Sequence, residues 1–253
     1  MITVISPRIA NLGDFANCLP VLSGLYKQLN DRFHFVICDR LQRFKGIREL
    51  LLCQHMFEEV SFVSEGKFDP NNCLLIDDTG HFENTGNVPM VTTSYANFIR
   101  DTYKIQFEID TDFELMVPWC CDSYHTDKIL VGDRWSPKFT DDIDMRRNFN
   151  VIESSGILKD KPVLYLDYNE DLMYNCSLIC HNPNPFITTF TGIGILADLM
   201  KKDQYVLWSD DIVNFDNKTI EFNFARHHFL DRKSKLMYIN DFDMEKHIAN
   251  HNL

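Results

Sequence analysis

Asp14 stands beside Gly13, where a first apolar run, "MITVISP", passes into "NLGDFANCLPVLSGLYKQLN". A carboxylate at that join can serve two ends. It can be a helix-start acid, three residues after Asn11, facing the positive end of the helix dipole. It can also do chemistry at the mouth of a cleft, because open α/β sheets bind ligands beyond the carboxyl ends of their strands. A second chemistry-bearing turn, Thr191-Gly192-Ile193-Gly194, opens a later helix and would offer backbone N–H groups to phosphates. Residues 225–235, "ARHHFLDRKSK", form a basic cluster that is either a phosphate or nucleic-acid contact or a solvated surface. Read as part of a strand, His227 and His228 point to opposite sides and make a poor metal pair.

Metal-assisted chemistry would use an Asp-x-Asp to hold a divalent ion on a diphosphate. Asp110-Thr-Asp112, Asp142-Ile-Asp144 and Asp241-Phe-Asp243 fit that pattern, but 26 aspartates among 253 residues produce about three such triplets by chance. Asp77-Asp78 ends a strand and is better placed, yet a solvated turn is the favoured reading. No metal ligands and no cofactor are expected.

The elements that must position these groups alternate. "ITVIS", "FHFVICD", "VSFVS" and "CLLID" read as strands, interleaved with helical stretches ending near Asn30, across "FKGIRELLLCQHMF" and across "SYANFIRDTYKI". After "FELMVPWCC" the pattern restarts: "KILVGDRW", "PVLYLDY", "PFITTF" and "QYVLWSD" are strands, and "DIDMRRNFNVIESSGIL", "NEDLMYNCSLIC" and "TGIGILADLMKK" are helices. Strands alternating with helices over short loops predict parallel sheets covered on both faces. The fold class is therefore α/β with two facing Rossmann-like lobes. The expected division is residues 1–120, residues 121–235 and a C-terminal helix, 236–253, packed back on a lobe; Pro118 with "CCDSYHTD" is the expected hinge. A ligand belongs between the carboxyl ends of the two sheets.

Composition narrows the classes. The formal charge of −12 argues against a broad basic face for DNA or an acidic membrane. No apolar run is long enough to span a membrane, and no basic region precedes the N-terminal apolar stretch, so a cytoplasmic protein is expected. Eight irregularly spaced cysteines in a chain this size read as buried free thiols. Richness in Asn, Lys, Ile and Phe suggests an AT-rich, viral source. No Gly-x-Gly-x-x-Gly follows the first strand, which counts against a dinucleotide dehydrogenase.

The stretch "LGDFANCLPVLSGL", with Leu12, Gly13, Asp14, Leu19, Pro20, Leu22 and Leu25, resembles the opening motif of the heptosyltransferase-like glycosyltransferases, which move heptose from ADP-heptose to lipopolysaccharide. The run "DLMYNCSLICHNPNPFITTFTGIGILADLMKKDQYVLW" is similar to that family's late segment, and "ILVGDRWSPKF" is a weaker echo. The chain resembles a divergent and shortened member. In place of the family's late acid and histidine, both expected to contact the donor, stand Phe190 and Ile195.

The resemblance implies a GT-B arrangement and a nucleotide-sugar donor. It implies transfer with inversion and without metal to an acceptor hydroxyl, on a glycan or on a hydroxymethylated base in viral DNA. It assigns Asp14 the role of base, with Gly13 beside it. The Thr191, Gly192 and Gly194 turn would hold phosphates; Arg134 or Lys138 would add a cation, and Trp135 would stack on a base or sugar. The alternative is a catalytically silent protein of this architecture that binds a nucleotide, nucleic acid or host protein. The sequence leaves the sugar, the acceptor and the oligomeric state open.

Overall fold

The computed structural model describes residues 1–7, 11–69, 71–80, 82, 86–119, 128–132, 158–167, 169–208 and 220–238. Strands β1 (Ile2–Ile5), β2 (Phe33–Ile37), β3 (Phe57–Phe62) and β4 (Leu74–Leu75) form one parallel sheet in the order β3-β2-β1-β4. All five residues of β2 are buried, as in a central strand covered on both faces. His34 within it is a satisfied core histidine, its Nε2 lying 2.7 Å from Ser61 Oγ. Around this sheet lie α1 (Leu12–Ala16), α2 (Leu19–Leu29), α3 (Ile47–Leu52) and α4 (Met90–Tyr103). Pro20 occupies the first turn of α2, where its missing N–H costs nothing. That helix stops at Asn30, which adopts a left-handed φ of 52° while its N–H donates to Tyr26 O at 2.8 Å.

The second sheet holds β5 (Ile129–Gly132), β6 (Val163–Tyr165), β7 (Phe186–Thr188), β8 (Gln204–Trp208) and β9 (Ser234–Tyr238), again all parallel, in the order β6-β5-β7-β8-β9. With it go α5 (Leu172–His181), α6 (Gly192–Leu199) and α7 (Ile220–His227). Asp171 starts α5 by accepting from the N–H groups of Met173 and Tyr174 at 2.8 and 3.3 Å. Strand order reverses between β1 and β4 in one sheet and between β5 and β7 in the other. Those two reversals open the crevices in which doubly wound folds bind ligands.

Residues 225–235 depart from the expectation of a strand through His227 and His228. Helix α7 ends at His227, and β9 begins only at Ser234. Phe224 and His228 stack with ring centroids 4.6 Å apart, a four-residue neighbour relation that helical backbone provides and a strand does not. The cluster is a solvated surface only in part: Asp231, Lys233 and Lys235 are exposed, but two of its members turn inward. His228 is 1% exposed, and Arg232 donates to the carbonyls of Thr111, Phe113 and Asp198 at 2.9, 2.9 and 3.0 Å while covering the Phe229 ring. The expected helix at residues 142–157 and the tail at 241–253 lie outside the described residues, as do Cys120 and Cys121. The six described cysteines form no disulfide with one another, and Cys18, Cys38 and Cys176 are buried.

The two lobes share one apolar core, which runs from Val4, Phe15 and Phe35 of the first to Phe186, Ile195 and Phe229 of the second. Helix starts meet at α1 and α6, while α3 packs on α5 and α4 on α7. The connecting segment is tied to both sides. Asp110 accepts from Ser23 at 2.6 Å and pairs with Lys27 at 2.8 Å. Gln54 clasps Met116 by donating to its carbonyl at 2.8 Å and accepting from its N–H at 2.9 Å. Leu115 N–H then donates to Leu199 O of the second lobe at 2.9 Å. Among the described residues no helix is long and apolar enough to cross a membrane.

Candidate active site

Asp14 is the third residue of the five-residue helix α1, just beyond the carboxyl end of β1. Asn11 occupies the N-cap position, but its side chain caps nothing. The Asp14 carboxylate instead accepts from the Asn11 backbone N–H, which is the reach-back half of a capping box. The helix-start function is therefore real. It does not exhaust the residue, because Asp14 is half-buried and burial raises its carboxyl above the ordinary carboxylate range. The Asn11 N–H and the Arg226 guanidinium oppose that rise, and Asp78 adds to it. Burial outweighs the Asn11 hydrogen bond and the Arg226 charge.

Opposite stands the start of α6. Thr191 is its N-cap, with Oγ1 accepting from Gly194 N–H at 3.3 Å and lying 3.0 Å from Thr188 Oγ1. Gly194 thus spends its N–H within the helix, and Ile195 N–H returns to Thr191 O at 3.3 Å. Helical geometry leaves the N–H groups of Gly192 and Ile193 without an intrahelical acceptor. Gly13 and Gly192 let the two helix starts touch. A Cβ on Gly192 would stand 2.8 Å from Leu12 Cβ and 2.9 Å from Gly13 N, and one on Gly13 would stand 2.5 Å from Ile195 Cδ1. The positive ends of α1 and α6 converge beside Asp14.

A polar network at the end of α7 ties the second lobe to this point. Asn17, fully buried at the C-terminal end of α1, donates to Gly13 O at 3.1 Å and accepts from Thr92 Oγ1 at 3.0 Å. Its Nδ2 lies 3.4 Å from His227 Nδ1. The neighbouring Arg226 guanidinium lies over the Phe82 ring, 4.5 Å from its centroid. Burial pushes the His227 imidazole down to about 3, with Arg226 and His228 acting in the same direction. Burial lowers His228 as well.

A histidine whose folded pKa lies below its unfolded value supports folding fully above about 6.5 and progressively less as pH falls toward 3. Urea midpoints should accordingly drop between pH 7 and pH 4.5. In His227→Asn the drop should be shallower, and an equally steep fall in that variant would remove His227 as the cause.

The remaining sequence candidates fall out plainly. Asp77 and Asp78 follow β4; Asp78 Oδ1 accepts from Gly80 N–H at 2.9 Å, an Asx turn that makes the solvated-turn reading correct. Asp110 is consumed by Ser23 and Lys27. Phe190 packs edge-on to Phe224 and His228, and Ile195 is 6% exposed against Gly13. Arg134, Trp135 and Lys138, like the Asp142-Ile-Asp144 and Asp241-Phe-Asp243 triplets, lie outside the described residues. The structure sets Gly13 against Gly192, which brings their chain neighbours Asp14 and Thr191 to one junction, while Gly194 packs against Thr188 on the inner side of α6. Sequence reasoning missed Arg226, Phe82 and Asn17 as their neighbours. The basic cluster was visible, but not the direction in which it faces.

Two Rossmann-like lobes with facing switch points define the GT-B class of fold. No protein-family model matches the sequence, and no curated protein does. Solved structures do. Heptosyltransferase WaaC of E. coli, solved with ADP, superposes with a TM-score of 0.57 at 8% identity over 100% of both chains. A glycosyl transferase family 9 protein from Veillonella parvula superposes with a TM-score of 0.56 at 10% identity, over 99% of this chain and 88% of its own. E. coli ADP-heptose LPS heptosyltransferase II gives 0.51 at 11% identity over 100% and 98%. At such identities the likeness establishes the fold, which this chain shares with these glycosyltransferases.

Proposed function

We propose that the chain is a glycosyltransferase that moves a sugar from a nucleotide-sugar donor to an acceptor hydroxyl with inversion and without a metal. The observation that carries this reading is a carboxylate with a raised pKa beside the meeting of two helix starts, at the strand ends of both sheets. Asp14 takes the acceptor proton as the acceptor oxygen bonds to the sugar carbon. The bond from that carbon to the donor phosphate breaks, and its electron pair leaves on the diphosphate. N–H groups of Gly192 and Ile193, with Arg134 or Lys138, receive that charge, and Trp135 stacks on a base or sugar. The acceptor is a glycan or a hydroxymethylated base in viral DNA, and the reaction belongs to the cytoplasm.

One observation favours a second reading. Phe190 and Ile195, which stand where the resemblance puts donor contacts, are engaged in packing against His228 and Gly13. A catalytically silent protein that binds a nucleotide, nucleic acid or host protein would tolerate that.

A thermal-shift screen with nucleotides and nucleotide sugars separates the two, because a ligand that binds only the folded state raises apparent stability by mass action. A donor at about a hundred times its Kd should add about 2.7 kcal/mol of apparent stability. Stabilisation together with slow hydrolysis of the nucleotide sugar supports the transferase. Binding without turnover supports the silent protein, and no response to any nucleotide sinks the donor assignment.

A further inference from the structure

His227, the last residue of α7, reaches across the lobe junction to Asn17, the C-cap of α1. The orientation of the Asn17 amide is fixed by its neighbours. Gly13 O can only accept, so Asn17 Nδ2 faces it at 3.1 Å, while Oδ1 takes the Thr92 hydroxyl proton at 3.0 Å. The second N–H of that amide then meets His227 Nδ1 at 3.4 Å. A donor there makes Nδ1 an acceptor, and a neutral imidazole must then carry its proton on Nε2. Burial, aided by the Arg226 charge, keeps the ring neutral down to about pH 3. No described residue accepts from Nε2, and His227 is partly exposed, whereas the neighbouring His228 is sealed in the core. Asn17 keeps helical backbone and follows Asp14 by three residues. Residues so spaced share a helix face, with Cβ atoms about 5–6 Å apart. His227 therefore sits on the side of α1 that carries the Asp14 carboxyl.

We propose that His227 is a substrate-binding residue whose Nε2–H donates to a hydroxyl oxygen of the sugar that is transferred. The proposal rests on the transferase reading for the identity of the ligand, and α7 belongs to the lobe to which that reading gives the donor. The neutral ring selects the ligand atom. A diphosphate is bound best by a charged donor, whereas an uncharged N–H suits an uncharged hydroxyl. An imidazolium at this place would also favour the ionised form of Asp14 and so weaken it as a base. Nor can His227 take the acceptor proton itself, because the lone pair of its unprotonated nitrogen is engaged by Asn17. Asp14 is then the base and His227 a donor of fixed tautomer, with Asn17 as the positioning residue that sets it.

Nuclear magnetic resonance of the intact chain with nitrogen-labelled histidine tests this, His227 being picked out from the nine histidines by its loss in His227→Gln. In the free protein His227 should show the Nε2-protonated pattern, unchanged from pH ~5 to ~8. An Nδ1-protonated ring, or one that titrates in that range, overturns the proposal. ADP-glucose, UDP-glucose and GDP-mannose are then added, with ADP, UDP and GDP as sugarless controls. At least one nucleotide sugar should shift the His227 Nε2–H signal while its sugarless counterpart leaves it in place. His227→Met should bind that nucleotide sugar about three- to tenfold more weakly and the bare nucleotide as before. His227→Gln, which offers both an acceptor for Asn17 and a donor, should keep most of the affinity. A histidine that only supports Asn17 would weaken both ligands alike, and that result overturns the proposal, as does a signal that none of the three nucleotide sugars moves. A nucleotide sugar that shifts the signal but is never turned over keeps the proposal and sinks the transferase reading. Turnover without the shift does the reverse.

Discussion

Asp14→Asn should lower sugar transfer by about 10²–10⁴-fold, the range a positioned general base supplies, while the folded state loses nothing. The asymmetry follows from the sign of the shift. A carboxyl whose folded pKa is raised favours folding only while it is protonated, at low pH, and that support disappears as pH rises through the folded value. At neutral pH the ionised Asp14 is a burden on the fold. The amide variant keeps an acceptor oxygen for the Asn11 N–H and sheds the buried charge. Its urea midpoint at pH 7 should therefore equal or exceed that of the wild type, with the difference vanishing near pH ~4. Product formation and unfolding curves on the same samples check both halves. Full turnover in the variant would leave Asp14 a helix-start acid only, and a clear loss of stability would show that capping by the charged form outweighs its burial.

The second large effect concerns folding alone. Gly24→Ala should destabilise the chain by about 1–3 kcal/mol or more, the usual cost of overpacking a filled site. A Cβ on Gly24 would stand 1.9 Å from Glu108 O and 3.2 Å from Asp110 N. Those atoms are backbone and cannot rotate aside, so α2 and the connecting segment would have to part. That separation would also pull Asp110 away from Ser23 and Lys27. Chemical denaturation of the variant gives the number. A midpoint within error of the wild type would mean that the connection is not pinned to α2 and that the lobes are joined more loosely than their shared core implies.

Both predictions depend on features that the sequence displayed unequally. Asp14 was legible because its signal is local: an apolar strand, a glycine and a helix-start spacing lie within fourteen residues. Pro20 near the start of α2 and Thr191 at the start of α6 were legible for the same reason. Residues 225–235 were legible as basic, but the inward turn of His228 and Arg232 was not. Whether an arginine faces solvent or the carbonyls of Thr111 and Phe113 depends on chain far away in sequence, and no local pattern encodes it. The strand assigned to His227 and His228 failed because a short amphipathic helix that ends against another lobe carries a weak periodic signal.

By itself the sequence determined the α/β class, the parallel pairing of its strands and the candidate carboxylate, because periodicity, capping and turn chemistry act over a few residues. Only the tertiary structure decided what surrounds that carboxylate. It brought Asn17 to His227 across 210 residues, set Gly13 against Gly192, and laid the Arg226 guanidinium over Phe82. Burial and electrostatic potential are sums over everything nearby in space, and a linear string holds no record of that neighbourhood.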